Sequence, residues 1–459
     1  MRYPFSLLVA TVFVSLASAA GKPNVVVFLI DDLGAVDVGC YGHPFHETPH
    51  IDKLAKDGVR FTTAYAACTV CSPTRAAILT GQYPARLHVT DWIAGHVRPF
   101  AKLRVPDWTM HLPAGTFTLA NAFRNAGYAT ATVGKWHLGG PDYAPEKFGF
   151  EKNVAGTAMG QPPSYLSPYR IPTIADGPIG EYLTDRLTDE ACRWIESKKD
   201  EPFFLYFPHY GVHTPLQAKK EVIEKYRTKA SGFTKKYNPI YAAMVESVDD
   251  SVGKVRAKLA ELNLADKTVI VFASDNGGLI GGARNSVTTN PPFRAGKGSA
   301  YEGGVREPFI VYWPGVSKAG LTDDRPTITM DLFPTLVAGC GLAAPADHAV
   351  DGINILPALK GEPTPPRPLY WHYPHYHPGG ATPYSAVRDG NFRLVEFFED
   401  NRVELYNLKD DVGETTDLAA TMPEKAKHLR TQLAAWRKSV GAQLPTANPN
   451  YDPAKDGKK

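Results

Sequence analysis

Cysteine is scarce in this chain, with 5 among 459 residues, at positions 40, 68, 71, 192 and 340. That is too few to brace a small secreted scaffold with disulfides. Beyond the N-terminus, long apolar runs are lacking as well: no stretch approaches the roughly 20 consecutive apolar residues that a membrane-spanning helix needs. Nor is there an excess of one charge. Lys and Arg number 50 against 47 Asp and Glu, a formal +3, which argues for neither nucleic acid nor a strongly steered partner. Closely spaced His/His/Glu or Cys/His sets, which would suggest zinc, are missing, and so are internal repeats and long low-complexity segments. What is present is the composition of an ordinary globular enzyme, 43% hydrophobic and 21% charged, with 39 prolines and 40 glycines that imply many ordered loops. The length suits one large α/β domain with a smaller companion, or two or three average domains.

The first residues read as an export signal. Arg2 precedes the apolar run from Leu7 to Val14, and Ala17-Ser18-Ala19-Ala20 supplies small residues for cleavage. Residues 1–20 are therefore expected to be a signal peptide, with no cysteine after the cleavage site to take a lipid. The mature protein is expected to be periplasmic or secreted.

From Asn24 to Ile30 the chain is apolar and rich in β-branched residues, as in a strand buried on both faces. It ends in Asp31-Asp32-Leu33-Gly34. Carboxylates at the carboxyl end of a central parallel strand lie where open α/β sheets place ligands, and two adjacent acids there resist ionising together without a cation. Helical and strand patterns then alternate. A helix is expected at Thr48–Gly58, a strand at Val59–Tyr65, a helix at Thr118–Gly127 and a strand at Tyr128–Val133. Further on come a strand at Phe203–Phe207, a long helix around 238–262 and a strand at Thr268–Ala273. The fold class expected is α/β, a large mainly parallel sheet flanked by helices. Lys360–Pro368 reads as a linker. Beyond it, strands at Leu369–Tyr373, Tyr384–Arg388, Phe392–Phe397 and Arg402–Tyr406 and a helix from Pro423 to Val440 suggest a smaller α+β subdomain of antiparallel strands. The divisions expected are 21–360, 361–444 and a loosely held tail at 445–459.

The stretch Ala67-Cys68-Thr69-Val70-Cys71-Ser72-Pro73-Thr74-Arg75, running on to Leu79-Thr80-Gly81, reads as a helix start and stop. Cys71 would stand at a helix N-terminus, where unpaired N–H groups and the helix dipole favour anions. Arg75 returns to the same face one turn later. Taken alone, Cys68-x-x-Cys71 would also suit a redox pair or half a zinc site.

Other polar segments follow strands: Gly134-Lys135-Trp136-His137, His209-Tyr210-Gly211-Val212-His213-Thr214-Pro215, Ser274-Asp275-Asn276-Gly277-Gly278 and Arg294-Ala295-Gly296-Lys297-Gly298. Their groups sort by chemistry. Asp31, Asp32, Asp275 and Asn276 are hard oxygen donors suited to calcium or magnesium. Arg75, Lys135 and Lys297 are cations able to offset a tetrahedral oxyanion, and His137 and His213 suit proton transfer.

These strings resemble the type I sulfatases of the alkaline phosphatase superfamily, whose modification signature is a cysteine, any residue, proline, any residue and arginine. The resemblance is dense from about Pro23 to Gly361, with Glu302-Gly303-Gly304-Val305-Arg306 included, and looser beyond. It implies that Cys71 is converted to formylglycine (3-oxoalanine) by a formylglycine-generating or anaerobic sulfatase-maturing enzyme. One calcium ion would be held by Asp31, Asp32, Asp275, Asn276 and modified Cys71. Arg75 would steady the aldehyde hydrate and Lys135 and Lys297 would grip sulfate. His137 would serve the second hydroxyl, and His213 with Lys297 the leaving oxygen. The chemistry explains the need for an aldehyde. A thiolate attacking sulfur would be trapped as an S-sulfonate, whereas a hydrated aldehyde attacks with one hydroxyl and expels sulfate by reforming C=O when the other is deprotonated.

For the substrate, the loop Asp91–Arg98 and the cluster His372–Pro378 combine aromatic faces with hydrogen-bonding tips, which suit a sugar ring as well as a well-packed loop. Trp92, His96, Arg98, His375, Tyr376 and His377 are the candidate binding residues. By resemblance to exported bacterial enzymes, a sulfated glycan of galactose or N-acetylgalactosamine type is favoured over an aryl sulfate. Two other readings stay open: a phosphomonoester or phosphodiester hydrolase of the same superfamily, and an inactive glycan-binding relative in which Cys71 is never modified.

Overall fold

The strand β1 (Asn24–Ile30) shows why the sheet is central: every one of its residues is buried. Val26, Phe28 and Ile30 enter the hydrophobic cluster on one face of the sheet, and Val25, Val27 and Leu29 enter the cluster on the other. The alternation is the two-residue period of a strand packed on both sides. The computed structural model describes residues 21–235, 237–282 and 285–456, so the expected signal peptide lies outside the described residues.

In chain order the rest of the sheet is β2 (Val59–Tyr65), β3 (Ala129–Val133), β4 (Lys152–Val154), β5 (Phe203–Pro208), β6 (Thr268–Ser274), β7 (Arg306–Tyr312), β8 (Leu321–Asp323) and β9 (Thr327–Ile328). The spatial order is β8-β2-β7-β6-β1-β5-β3-β4, with β9 beside β2. Only β7 runs against its neighbours; the other pairings are parallel. Helices α1 (Pro49–Asp57), α2 (Cys71–Thr80), α3 (Leu119–Asn125), α4 (Leu183–Ser197), α5 (Lys220–Ala230) and α6 (Pro239–Glu261) flank it. A mainly parallel sheet with helices against it is the expected α/β class.

The second sheet is antiparallel, with β10 (Leu369–Tyr373), β11 (Tyr384–Asp389), β12 (Phe392–Phe397) and β13 (Val403–Asn407) in sequential order. Helix α7 (Pro423–Ser439) buries Leu429, Leu433 and Trp436 on it, as its spacing suggested. This sheet shares a core with the cysteine motif: Cys68, Val70 and Ala77 lie in one apolar cluster with Trp371, Leu394 and Leu429. The Trp371 indole also donates to the Ala66 carbonyl at 2.9 Å. Of the segment expected to be loosely held, Thr446–Ala447 pairs with Leu103–Arg104. All 5 cysteines are free thiols.

Candidate active site

Helix α2 begins at Cys71, with extended Val70 before it and left-handed Gly81 after it, whose N–H closes on the Ala77 carbonyl at 2.8 Å. All ten of its residues are buried. A fully buried helix carries a cation inward, and Arg75 is 0% exposed. Its Nε and Nη2 both donate to Asp275 Oδ2, at 2.9 and 2.7 Å, and Nη1 donates to the Lys135 carbonyl at 2.7 Å. Arg75 thus binds the ends of β3 and β6 to the helix, and Asp31 Oδ2 is 3.9 Å from it.

The four expected loops converge at the carboxyl ends of the parallel strands. Lys135 Nζ lies 2.6 Å from Asp31 Oδ2, and Lys297 Nζ 2.6 Å from Asp32 Oδ1. Asn276 Nδ2 donates to Asp32 Oδ1 at 2.8 Å, which fixes its amide orientation, and the Asp32 N–H donates to Asp275 Oδ1 at 3.3 Å. Asp32 and His137 hold positive φ, 62° and 57°, a backbone cost that clusters at functional sites. Gly134 makes the close approach possible, because a Cβ there would stand 2.0 Å from the Pro208 carbonyl oxygen.

Burial and neighbouring charge set the protonation states. Burial, reinforced by Asp275, raises the Asp31 carboxyl to about 7. Asp32 is also buried, yet Lys297 and His213 hold it below the usual carboxylate range. Burial raises the Cys71 thiol, against the pull of Lys135 and Lys297. His137 accepts from this thiol: its Nδ1 is 3.3 Å from Sγ, while Nε2 bonds the Ile93 carbonyl at 2.5 Å. That carbonyl can only accept, so the ring proton is on Nε2 and the Nδ1 lone pair faces residue 71. Burial and Lys135 push the imidazole well below its ordinary value, which leaves it a neutral base. Burial and Lys297 bring His213 down to about 3. With its Nδ1 bonded to the Thr214 carbonyl at 2.9 Å, its Nε2 faces Asp32 Oδ2 at 3.6 Å.

Those contacts leave acceptors without donors. Among the described residues, Asp31 Oδ1, Asp32 Oδ2 and Asn276 Oδ1 are buried and have no hydrogen-bond partner. Orphaned buried oxygens are costly, and three on adjacent strand ends form a donor set for a hard cation. Asp31, Cys71 and Asp275 offer ligand atoms within 4.8 Å of one another, as do Asp31, Asp32 and His213. The residues present fit calcium. Three carboxylates face three cations here, so the set is close to neutral before any divalent ion adds charge.

A cleft of about 460 Å³ opens over this cluster, lined by Cys71, His137, His213 and Lys297 together with Trp92 and His377. Gln161, Gly160 and Leu279 also line it. No spacing or motif marks those three, because they come from loops without periodic pattern. Of the six residues read as sugar contacts, only Trp92 and His377 reach this cleft. His96, Arg98 and His375 line a neighbouring cavity. Tyr376 is buried, with its hydroxyl donating to Glu399 and accepting from the Leu103 N–H at 3.0 Å. Arg98 pairs with Asp456 and lies over the Tyr376 ring, and His375 bonds Thr90 at 2.8 Å.

Comparison with known proteins agrees on one family. A family model described as Sulfatase matches residues 23–342, and one described as N-sulphoglucosamine sulphohydrolase, C-terminal, matches 296–439. The N-acetylgalactosamine-6-sulfatase of Canis lupus familiaris is 34% identical over 384 residues, 78% of this chain and 69% of that one. A protein named Sulfatase from Formosa agariphila is 31% identical over 519 residues, covering 94% of this chain and 92% of its own. The crystal structure of Ps i-CgsB in complex with k-i-k-neocarrahexaose matches with a TM-score of 0.77 and 28% identity, over 95% of this chain and 96% of that one.

Proposed function

Because the chain belongs to the sulfatase family and is a sulfuric ester hydrolase, we propose that it removes sulfate from a sulfated glycan, of galactose or N-acetylgalactosamine type. The observation that carries this reading is the convergence of three orphaned buried oxygens and three cations at the strand ends beside Cys71, with Cys71 and Lys297 lining the cleft. The sugar class is supported by the glycan names of the relatives and by Trp92 and His377 on the cleft wall.

The catalytic group in this reading is residue 71 as formylglycine, whose hydrated aldehyde supplies one hydroxyl for attack and another whose deprotonation releases sulfate. His137 is the base for that second proton, since its Nδ1 lone pair already faces residue 71 at 3.3 Å. Arg75 holds Asp275 and the Lys135 carbonyl and so keeps the ends of β3 and β6 in register. Lys135 and Lys297 present ammonium groups that attract the sulfate oxygens. His213, neutral with Nδ1 on the Thr214 carbonyl, lines the cleft with Lys297, whose ammonium carries the proton that the leaving alcohol oxygen would need. Asp31, Asp32, Asp275, Asn276 and residue 71 would hold calcium, which when bound would draw charge from the sulfate oxygens. A maturation enzyme of the formylglycine-generating or anaerobic type is the partner this requires. Export is part of the same reading, on the strength of the Arg2, Leu7–Val14 and Ala17–Ala20 pattern.

Two measurements test it together. Peptide mass spectrometry of active protein should show residue 71 with sulfur and two hydrogens replaced by one oxygen. Free sulfate should appear from defined sulfated galactose and N-acetylgalactosamine saccharides. Active protein with intact Cys71 would refute the route, and release of phosphate in preference to sulfate from matched aryl esters would refute the substrate class.

A further inference from the structure

Three residues expected to touch substrate, His96, Arg98 and His375, line a separate cavity of about 360 Å³. Two short segments of chain line both this cavity and the catalytic cleft. Trp92 and Ile93 line the cleft while Asp91 and Ala94 line this cavity, and His377 and His375 divide in the same way. The far wall is Asn448–Asn450, held by the pairing of Thr446–Ala447 with Leu103–Arg104. Asn448 Nδ2 secures it further, donating to the Pro99 and Ala101 carbonyls at 2.9 and 2.7 Å.

The lining is unlike ordinary surface. Arg104 is exposed, and among the described residues no carboxylate lies within ion-pair distance of it. Beside it Val97 and Met110 leave apolar carbon in water, 81% and 49% exposed, and Trp108 stands with its ring edge on His375 at 5.5 Å. Asp107 and His96 add groups that accept and donate hydrogen bonds. A free guanidinium, an apolar platform and hydrogen-bonding tips around a space of this size match one pyranose ring with an anionic substituent. A densely charged polymer such as nucleic acid suits it less, because Asp107 and Asp91 share the cavity with that guanidinium.

We propose that this cavity is a second sugar subsite, binding a further anionic residue of the same glycan whose sulfate ester occupies the catalytic cleft. The inference rests on the glycan sulfatase reading and extends it from single sugars to chains. Binding energy gained away from the reacting centre then favours oligosaccharides.

The test compares kcat/KM for sulfate release from disaccharides and hexasaccharides of carrageenan and of chondroitin 6-sulfate, with 4-nitrophenyl sulfate as a chain-free control. Wild type should prefer one hexasaccharide over its disaccharide by about tenfold or more. Arg104→Ala should abolish that preference and leave the disaccharide and aryl rates within about twofold. Met110→Glu, which puts an acid on the apolar rim, should act in the same direction and serves if the first variant folds poorly. Absence of a chain-length preference in wild type, or equal loss on short and long substrates in the variants, overturns the subsite. Failure of the sulfatase reading looks different: no sulfate is released from any ester. Calorimetric titration of wild type with the hexasaccharides then decides, with binding weakened by Arg104→Ala upholding the subsite, and no binding or unaltered binding rejecting it.

Discussion

Arg393, on the antiparallel sheet, donates through Nη2 to the carbonyl of Ala300 at 2.7 Å, three residues past Lys297. The same sheet and the loops around it grip the neighbouring residues. The Ala381 N–H donates to the Gly298 carbonyl at 2.9 Å, the Tyr384 hydroxyl to the Ser299 carbonyl at 3.3 Å, and the Glu302 N–H to Glu414 Oε2 at 2.7 Å. Gly298 permits the approach, since a Cβ there would meet His377 Nδ1 at 1.7 Å. The loop that presents Lys297 is therefore shaped from outside the main sheet.

Arg393→Met should damage stability and rate together. Arg393 is wholly buried and sits 2.8 Å from Glu302 and 3.6 Å from Glu414. Glu302 keeps Arg306 at 2.7 Å, so loss of Arg393 strands chiefly the Glu414 carboxyl, and breaking the buried cluster should cost about 3 kcal/mol. Denaturant melts should show that loss, and kcat should fall with it as Lys297 loses its fixed position. Adding Glu414→Gln removes one stranded acid and should restore part of the stability. A single variant that melts and turns over like wild type would show that the sheet does not set the loop.

Chelation gives the second prediction. A cation satisfying Asp31 Oδ1, Asp32 Oδ2 and Asn276 Oδ1 binds only the folded chain, so its removal should lower Tm. The difference is about 2.7 kcal/mol when the ion stands at one hundred times its Kd. Calcium should restore Tm better than magnesium, which is smaller and dehydrates reluctantly. Differential scanning calorimetry of wild type and Asp32→Asn checks it: wild type responds, the variant far less. An identical Tm with and without chelator would exclude the ion site.

Much of this site was legible because its residues stand at the ends of strands that announce themselves. β1 and β6 are buried on both faces and so read as unbroken apolar runs, with Asp31-Asp32 and Asp275-Asn276 directly after them. β7 was not read as a strand at all, and its direction was not legible. Apolar periodicity carries no sign, and nothing in Arg306–Tyr312 distinguishes an antiparallel insertion from another parallel strand. Of the six residues read as sugar contacts only Trp92 and His377 line the cleft, for a different reason. Composition picked out Arg98, His375 and Tyr376 as polar aromatic or basic groups, but Asp456 takes one Arg98 nitrogen, Thr90 takes His375 Nε2, and Leu103 and Glu399 take the Tyr376 hydroxyl, contacts that span up to 358 positions in sequence. Residue type shows what a side chain can bind, while only the fold shows whether it is already bound.

Acid stability provides the third prediction. His209 is fully buried, stacked on Phe28 with ring centroids 6.2 Å apart, and burial lowers it to about 3. The unfolded chain, with an imidazole near ~6.5, takes up the proton first. The stabilisation is therefore complete above about pH 6.5 and is lost as pH falls toward 3, by up to about 1.4 kcal/mol per pH unit. His209→Gln removes this group, so the gap in stability between wild type and variant should narrow on acidification across that window. A gap that stays constant in melts from pH 7 to 4 would mean that His209 is charged in the fold.

Lys297→Met separates two roles that the geometry combines. Its ammonium lies 2.6 Å from Asp32 Oδ1 and lines the catalytic cleft beside Cys71. A cation next to a proposed calcium ligand opposes the metal, by about 1 to 4 kcal/mol for unit charges near 4 Å between watery and protein-surface dielectrics. Without it, calcium should bind more tightly by calorimetric titration. The same change removes the donor proposed for the sulfate oxygens, which should lower kcat/KM by about 10²–10³ even at saturating calcium. The two readouts must move in opposite directions if Lys297 acts on the substrate. Weaker calcium binding together with lower activity would instead make it a brace for Asp32, and the drop in rate would then be recovered by raising the calcium concentration.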